Sequence, residues 1–153
     1  MKNVALVTIL LCLSITCSRY DVDRLLAAPE KIEIDGREYV LDAGLVRDFM
    51  PGEYGREGSP LYAGTEIIAV DSQPFPSVLD ADSMYVVNDG DVWAVTLIDA
   101  EPPPAADYKI RKRAEDEGPR WGPGIYVDVV VRLVDPDGAY LLRQSHVKIQ
   151  AVQ

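Results

Sequence analysis

His146 is the single histidine of the sequence, and the alternation of HVKIQAV places it on the face opposite Val147 and Ile149. A Ser-His-Asp site needs that imidazole beside an activated serine on a tight glycine turn, and no GxSxG occurs. Zinc is equally poorly served, since one histidine and no thiol beyond residue 17 cannot fill four ligand positions. Carboxylates are plentiful, with Asp80, Asp82, Asp89 and Asp91 falling close together, and grouped aspartates at a strand end are calcium chemistry. The EF-hand order fails at Met84, however, and Asp89 and Asp91 flank Gly90, where short acids favour turn geometry. No spacing singles out a glycosidase pair of carboxyls. The reading is therefore of a non-enzymatic protein with no catalytic residue, no metal and no cofactor, an exported hydrolase being the alternative.

The remaining chemistry is a cluster of bases. Between two strong strand patterns lies EPPPAADYKIRKRAEDEGPRWGP, residues 101–123, long for an unstructured connection in a compact domain. Pro102 to Pro104 read as extended chain, and Ala105 to Glu117 as a short helix ended by Gly118. Lys109, Arg111, Lys112 and Arg113 then form a basic patch. They either pair locally with Glu115, Asp116 and Glu117, or meet an acidic partner with Trp121 as an aromatic anchor. Trp121 has a second reading as a lid on the sandwich edge. Two further loops rich in proline and glycine, 50–60 and 71–83, carry Tyr54 and Phe75 and are candidates to line the same end.

The charge balance narrows the partners. With 25 acids against 15 bases the net charge is −10, so nucleic acid and anionic membrane surfaces repel the body of the protein. The first residues, MKNVALVTILLCLSITCSRY, order a positive Lys2, an apolar run from Val4 to Leu13 and then Cys17. That run is shorter than the roughly 20 residues of a membrane span. This segment resembles the leader of bacterial lipoproteins. The resemblance implies a signal peptide over 1–16, lipid attachment at Cys17 and a chain held by its N-terminal lipid on a bacterial membrane of the cell envelope. Ser14 and Thr16 depart from the usual residues before the cysteine. Cleavage after Ser18, giving a secreted or periplasmic soluble chain, is the alternative.

Residues 17–30 read as a lipidated N-terminus and tether, with one helical turn capped by Asp23 before Pro29. From Lys31 the period becomes two. Asp35-Gly36 joins Lys31–Ile34 to Arg37–Leu41, Asp89-Gly90 joins Met84–Val87 to Asp91–Ile98, and Asp135 to Gly138 joins Gly124–Val134 to Ala139–Gln144. Leu45–Phe49, Tyr62–Val70 and His146–Val152 complete about seven or eight strands over 31–153. Antiparallel pairing without βαβ spacing predicts an all-β, two-sheet sandwich, with a small β-barrel as the alternative. In GIYVDVVVRLV the residues Ile125, Val127, Val129, Val131 and Leu133 share the inward face, and Tyr126, Asp128, Val130 and Arg132 the outward one.

With Trp93 as a core tryptophan in VWAVTLI and a long terminal hairpin, the pattern resembles an immunoglobulin-like sandwich without its cysteine pair. The LVRDFMP, LDAD and WGPG stretches resemble a type of bacterial exported protein, which implies the cell envelope and no particular chemistry. The functional expectation is a binding or assembly module with an envelope protein partner. A carbohydrate-binding module using Trp121, Tyr54 and Tyr126 as stacking faces is a further alternative.

Overall fold

The computed structural model describes residues 20–153. One short helix, α1 (Val22–Leu26), precedes eight strands: β1 (Lys31–Ile34), β2 (Arg37–Asp48), β3 (Tyr62–Ala69), β4 (Asp80–Asn88), β5 (Asp91–Asp99), β6 (Lys109–Ala114), β7 (Tyr126–Asp135) and β8 (Gly138–Val152). The all-β expectation holds. The two-sheet, immunoglobulin-like sandwich does not, because β8 returns to pair with β2 and closes a ring in the order β2-β3-β6-β5-β4-β7-β8. The small barrel is the form adopted, with β1 as an extra strand on the first half of β2.

Seven strands cannot alternate direction all the way round, since an odd ring leaves one neighbouring pair running the same way. That pair is β2–β8, parallel from Leu45↔Ile149 to Asp48↔Val152, and every other pairing is antiparallel. β1 and β8 share one edge of β2, and the stretch between them is bridged by a side chain: the Ala43 N–H donates to Gln144 Oε1 at 2.6 Å.

Two strands that change neighbours midway turn the expected sheets into one barrel. β5 pairs with β4 through Thr96 and with β6 from Leu97, while β8 pairs with β7 through Lys148 and with β2 from Ile149. Side-chain alternation continues through such a change of partner, so sequence periodicity does not report it. The separately expected strands 139–144 and 146–152 are one strand with a register shift against β7, where His146 takes φ 59°. The first hairpin is as expected, Asp35 and Gly36 having φ 51° and 75°, the positive values that its tight turn requires.

The barrel interior is filled by Val127, Val129, Val131 and Leu133 from β7 together with Leu45, Ile67, Met84, Leu142 and Ile149. The outward face of β7 is not all solvated. Val130 is fully buried, because Leu25 of α1 and Ala28, just beyond the helix, pack with it and Val87. Covering one such valine contributes about 1.5–3 kcal/mol. Asp21, not Asp23, caps the helix by accepting from the Arg24 N–H at 3.1 Å. The chain that follows is held to β8: Arg143 donates to Ala28 O and Pro29 O, and Ser145 donates twice to Glu30. From α1 onward, the stretch expected as a tether is packed on the barrel wall made by β4, β7 and β8.

Candidate functional site

The basic segment forms β6 rather than the helix expected over 105–117. Lys109, Arg111 and Arg113 alternate with Ile110, Lys112 and Ala114, and that period of two, filling the ring between β3 and β5, overrides a helical composition. The bases therefore pair across strands and not with Glu115 to Glu117. Glu66 of β3 takes Lys109 Nζ at 2.8 Å and Arg111 Nη2 at 2.7 Å. Those hydrogen bonds, Lys109 first, hold the Glu66 carboxyl below its ordinary range.

Lys112 points the other way and is buried, its Nζ 2.6 Å from both Asp80 and Asp99. Desolvation works against its charge, but the two carboxylates outweigh it and the pKa is raised. Arg113 alone keeps its charge uncompensated, with no ion-pair partner among the described residues and one hydrogen bond, to Ala114 O at 3.3 Å. Three of the four expected contact bases are thus committed to the fold.

What surrounds Arg113 is set by register. On the outer surface the rows read Val46↔Tyr62, then Gly44↔Gly64↔Arg113, then Asp42↔Glu66↔Arg111, then Val40↔Ile68↔Lys109. Two glycines side by side leave the second row without a side chain until Arg113. The result is a trough of about 330 Å³ floored by Gly44 and Gly64, with Arg113 at one end and Asp42, Glu66 and Arg111 along one border. Neither glycine has positive φ; a Cβ on Gly44 would meet nothing within 4 Å, and one on Gly64 only Lys112 O at 3.7 Å. No turn, tight contact or backbone strain therefore calls for glycine here, although glycine weakens a strand interior by about 0.5–1 kcal/mol relative to alanine.

Tyr62 stands in the first row. Its hydroxyl lies 2.8 Å from that of Tyr54, and Glu117 Oε1 lies 3.1 Å from the Tyr62 hydroxyl and 3.3 Å from that of Tyr54, the two phenolic protons serving two of these three contacts at a time. The Tyr54 hydrogen bond, followed by desolvation and Glu117, pushes the Tyr62 phenol up, so it stays neutral. A second depression of about 430 Å³ between Tyr62 and Glu115 to Glu117 also has Arg113 in its wall. Lys148 of β8 immediately precedes Ile149, the partner of Leu45, and is exposed without an ion-pair partner among the described residues.

The other expected site residues lie apart. Trp121 packs, partly buried, against the barrel core, and its carbonyl accepts from Arg47 at 3.2 Å. Arg47 is itself buried, donating also to Ser59 O and Glu57 O at 2.8 and 2.5 Å, with its guanidinium 4.8 Å from the Phe49 ring centre. Tyr126 stacks on His146 with centroids 4.2 Å apart, and the Tyr54 hydroxyl meets that of Tyr62. The four aspartates weighed for calcium are divided: Asp80 on Lys112, Asp82 on Arg132, Asp89 and Asp91 at the β4–β5 turn. A different set, Asp35, Asp135 and Asp137, gathers three carboxylate oxygens within 4.8 Å of one another at two hairpin turns. Cys17 lies outside the described residues.

Comparison with protein-family models, with curated proteins and with solved structures gives no match.

Proposed function

We propose that the protein is a non-enzymatic binding module of the bacterial cell envelope, attached to a membrane through lipid on Cys17 and engaging its ligand on the wall built by β2, β3 and β6. The observation that carries this reading is the placement of α1. In the ring, β3 lies three strands from β4 in one direction and three from β7 in the other, so the helix and the trough sit on opposite walls. Two residues lie between Cys17 and Tyr20, whose ring packs edge-on to Tyr85 of β4, and the three steps of extended chain from one to the other span only about 10 Å. A lipid on Cys17 would hold the α1 wall against the bilayer and turn the trough outward.

With a net charge of −10, the body of the chain is repelled by an anionic bilayer and the anchor supplies the attraction. Glu66, Asp82, Asp71 and Asp128 are each held by bases of the fold, Glu66 by two of them and the others by Arg132, Arg37 and Arg143.

Site-directed fluorescence tests the orientation. On the acylated protein in vesicles carrying a lipid-borne quencher, a probe at Arg24→Cys should be strongly quenched and one at Arg113→Cys should not. Equal quenching at the two positions would refute the reading.

A further inference from the structure

The trough has a chemical character that the protein as a whole lacks. On a chain of net charge −10, the central rows of this wall set Lys109, Arg111 and Arg113 against Asp42 and Glu66. Glu66 is already shared by two of those bases, and Arg113 remains without a carboxylate among the described residues. A guanidinium presents a planar fork that matches a carboxylate in two parallel hydrogen bonds, and an exposed one facing a recess is suited to an incoming acid.

The floor is bare backbone, and the next same-face row along β3 carries the exposed Tyr62, which lines the neighbouring depression that shares Arg113 with the trough. A sugar ring offers complementary surfaces: its C–H face is weakly positive and rests against the negative face of an aromatic ring, while its edges carry hydroxyls. The Tyr54–Tyr62–Glu117 hydrogen bonds fix the position of the Tyr62 ring. The size argues for a small ligand, since a recess of about 330 Å³ is at the lower end of small-molecule sites, whereas a stable protein interface covers about 800 Å² on each side.

Resting on the proposed role as an envelope binding module, we infer that the Gly44–Gly64 trough is a binding site for a carboxylate-bearing saccharide. Arg113 forks the carboxylate, Tyr62 flanks the sugar ring, and the missing side chains of the two glycines are the space that the ring occupies. Asp42 at the far border is placed to accept from sugar hydroxyls.

The test is an NMR titration of the chain as isolated from cells with trigalacturonate, with maltotriose as the neutral control and glucose 6-phosphate and a short poly-glutamate peptide as the other acids. The expected result is movement of the Gly44, Tyr62, Gly64 and Arg113 amides with trigalacturonate only, weakening as salt is raised. Arg113→Gln should lower the affinity at least tenfold, and Gly44→Val, which fills the floor without a positive φ to strain it, should abolish the shifts while the rest of the spectrum stays native. Shifts with glucose 6-phosphate or the peptide alone would overturn the carboxylate–saccharide assignment. Stillness of those four amides with every probe would overturn the site itself. Neither result depends on the anchor, whose failure shows separately in the mass of the N-terminus.

Discussion

Gly44→Ala offers a direct test of whether the trough serves a ligand or the fold. Gly44 lies in the interior of β2 opposite Gly64, has no positive φ, and a Cβ built there meets no atom within 4 Å. A glycine in such a place costs about 0.5–1 kcal/mol relative to alanine, through the extra freedom of the unfolded chain. Nothing in the folded protein offsets that cost. The substitution should therefore stabilise by about 0.5–1 kcal/mol, which for a domain of this size raises the melting temperature by about 2–4 °C. Urea unfolding followed by tryptophan fluorescence and a thermal scan by circular dichroism would measure it, and the urea m-value should be unchanged. A loss of stability would show that barrel closure itself needs glycine at this position and would remove the argument that the empty space is kept for a ligand.

Four other outcomes follow from the packing and the ion pairs. Arg47→Met should destabilise by about 2–4 kcal/mol, because the carbonyls of Glu57, Ser59 and Trp121 lose a buried donor, and hydrogen exchange should rise in both loops that it ties together. Lys112→Met should cost no more than about 1 kcal/mol in urea unfolding, since the side chains of Asp80 and Asp99 are 57% and 84% exposed and rehydrate once the amine is gone. Val130→Asp should prevent folding or release α1 from the barrel, seen as loss of the native circular dichroism or as protease cleavage near residues 26–30, because the site beneath Leu25 is fully buried. Acid should weaken the fold in a defined order: the lowered Glu66 carboxyl stabilises fully above its unfolded value of 4.5 and less as pH falls through its folded value, while Asp71, held at about 2 by Arg37, loses its share between pH 3.8 and about 2. In Arg37→Gln the part of the acid limb below pH 3.8 should flatten.

The strands were legible in the sequence because burial imposes a period of two, and the inward set of β7 from Val127 to Leu133 came out as the alternation indicated. The Asp35-Gly36 turn was legible because only a few residues tolerate two successive positive φ values. The architecture was harder. A sandwich and a barrel share the same alternation, and the difference rests on which neighbour β5 and β8 take in their second halves, a long-range choice without a local signature. β6 was misread because Ala105 to Glu117 has a helical composition, while the alternation of its bases, visible in KIRKRA, was the stronger signal.

The same register problem hid the site. Gly44 and Gly64 are 20 positions apart and unremarkable singly; their adjacency exists only once β2 and β3 are aligned. Of the expected contact residues, Arg113 keeps its candidacy because cross-strand partners absorb Lys109, Arg111 and Lys112, and no sequence spacing reveals which of four neighbouring bases will be left over.

The proposed envelope role requires a chain that leaves the cytoplasm and stays attached to a membrane through lipid on Cys17. Intact-mass analysis of the protein extracted from membranes of the producing cell reads this in one step. The account predicts a polypeptide beginning at Cys17, lacking residues 1–16 and heavier than its sequence by the mass of a lipid. A full-length, unmodified chain starting at Met1 in the soluble cytosolic fraction would contradict it.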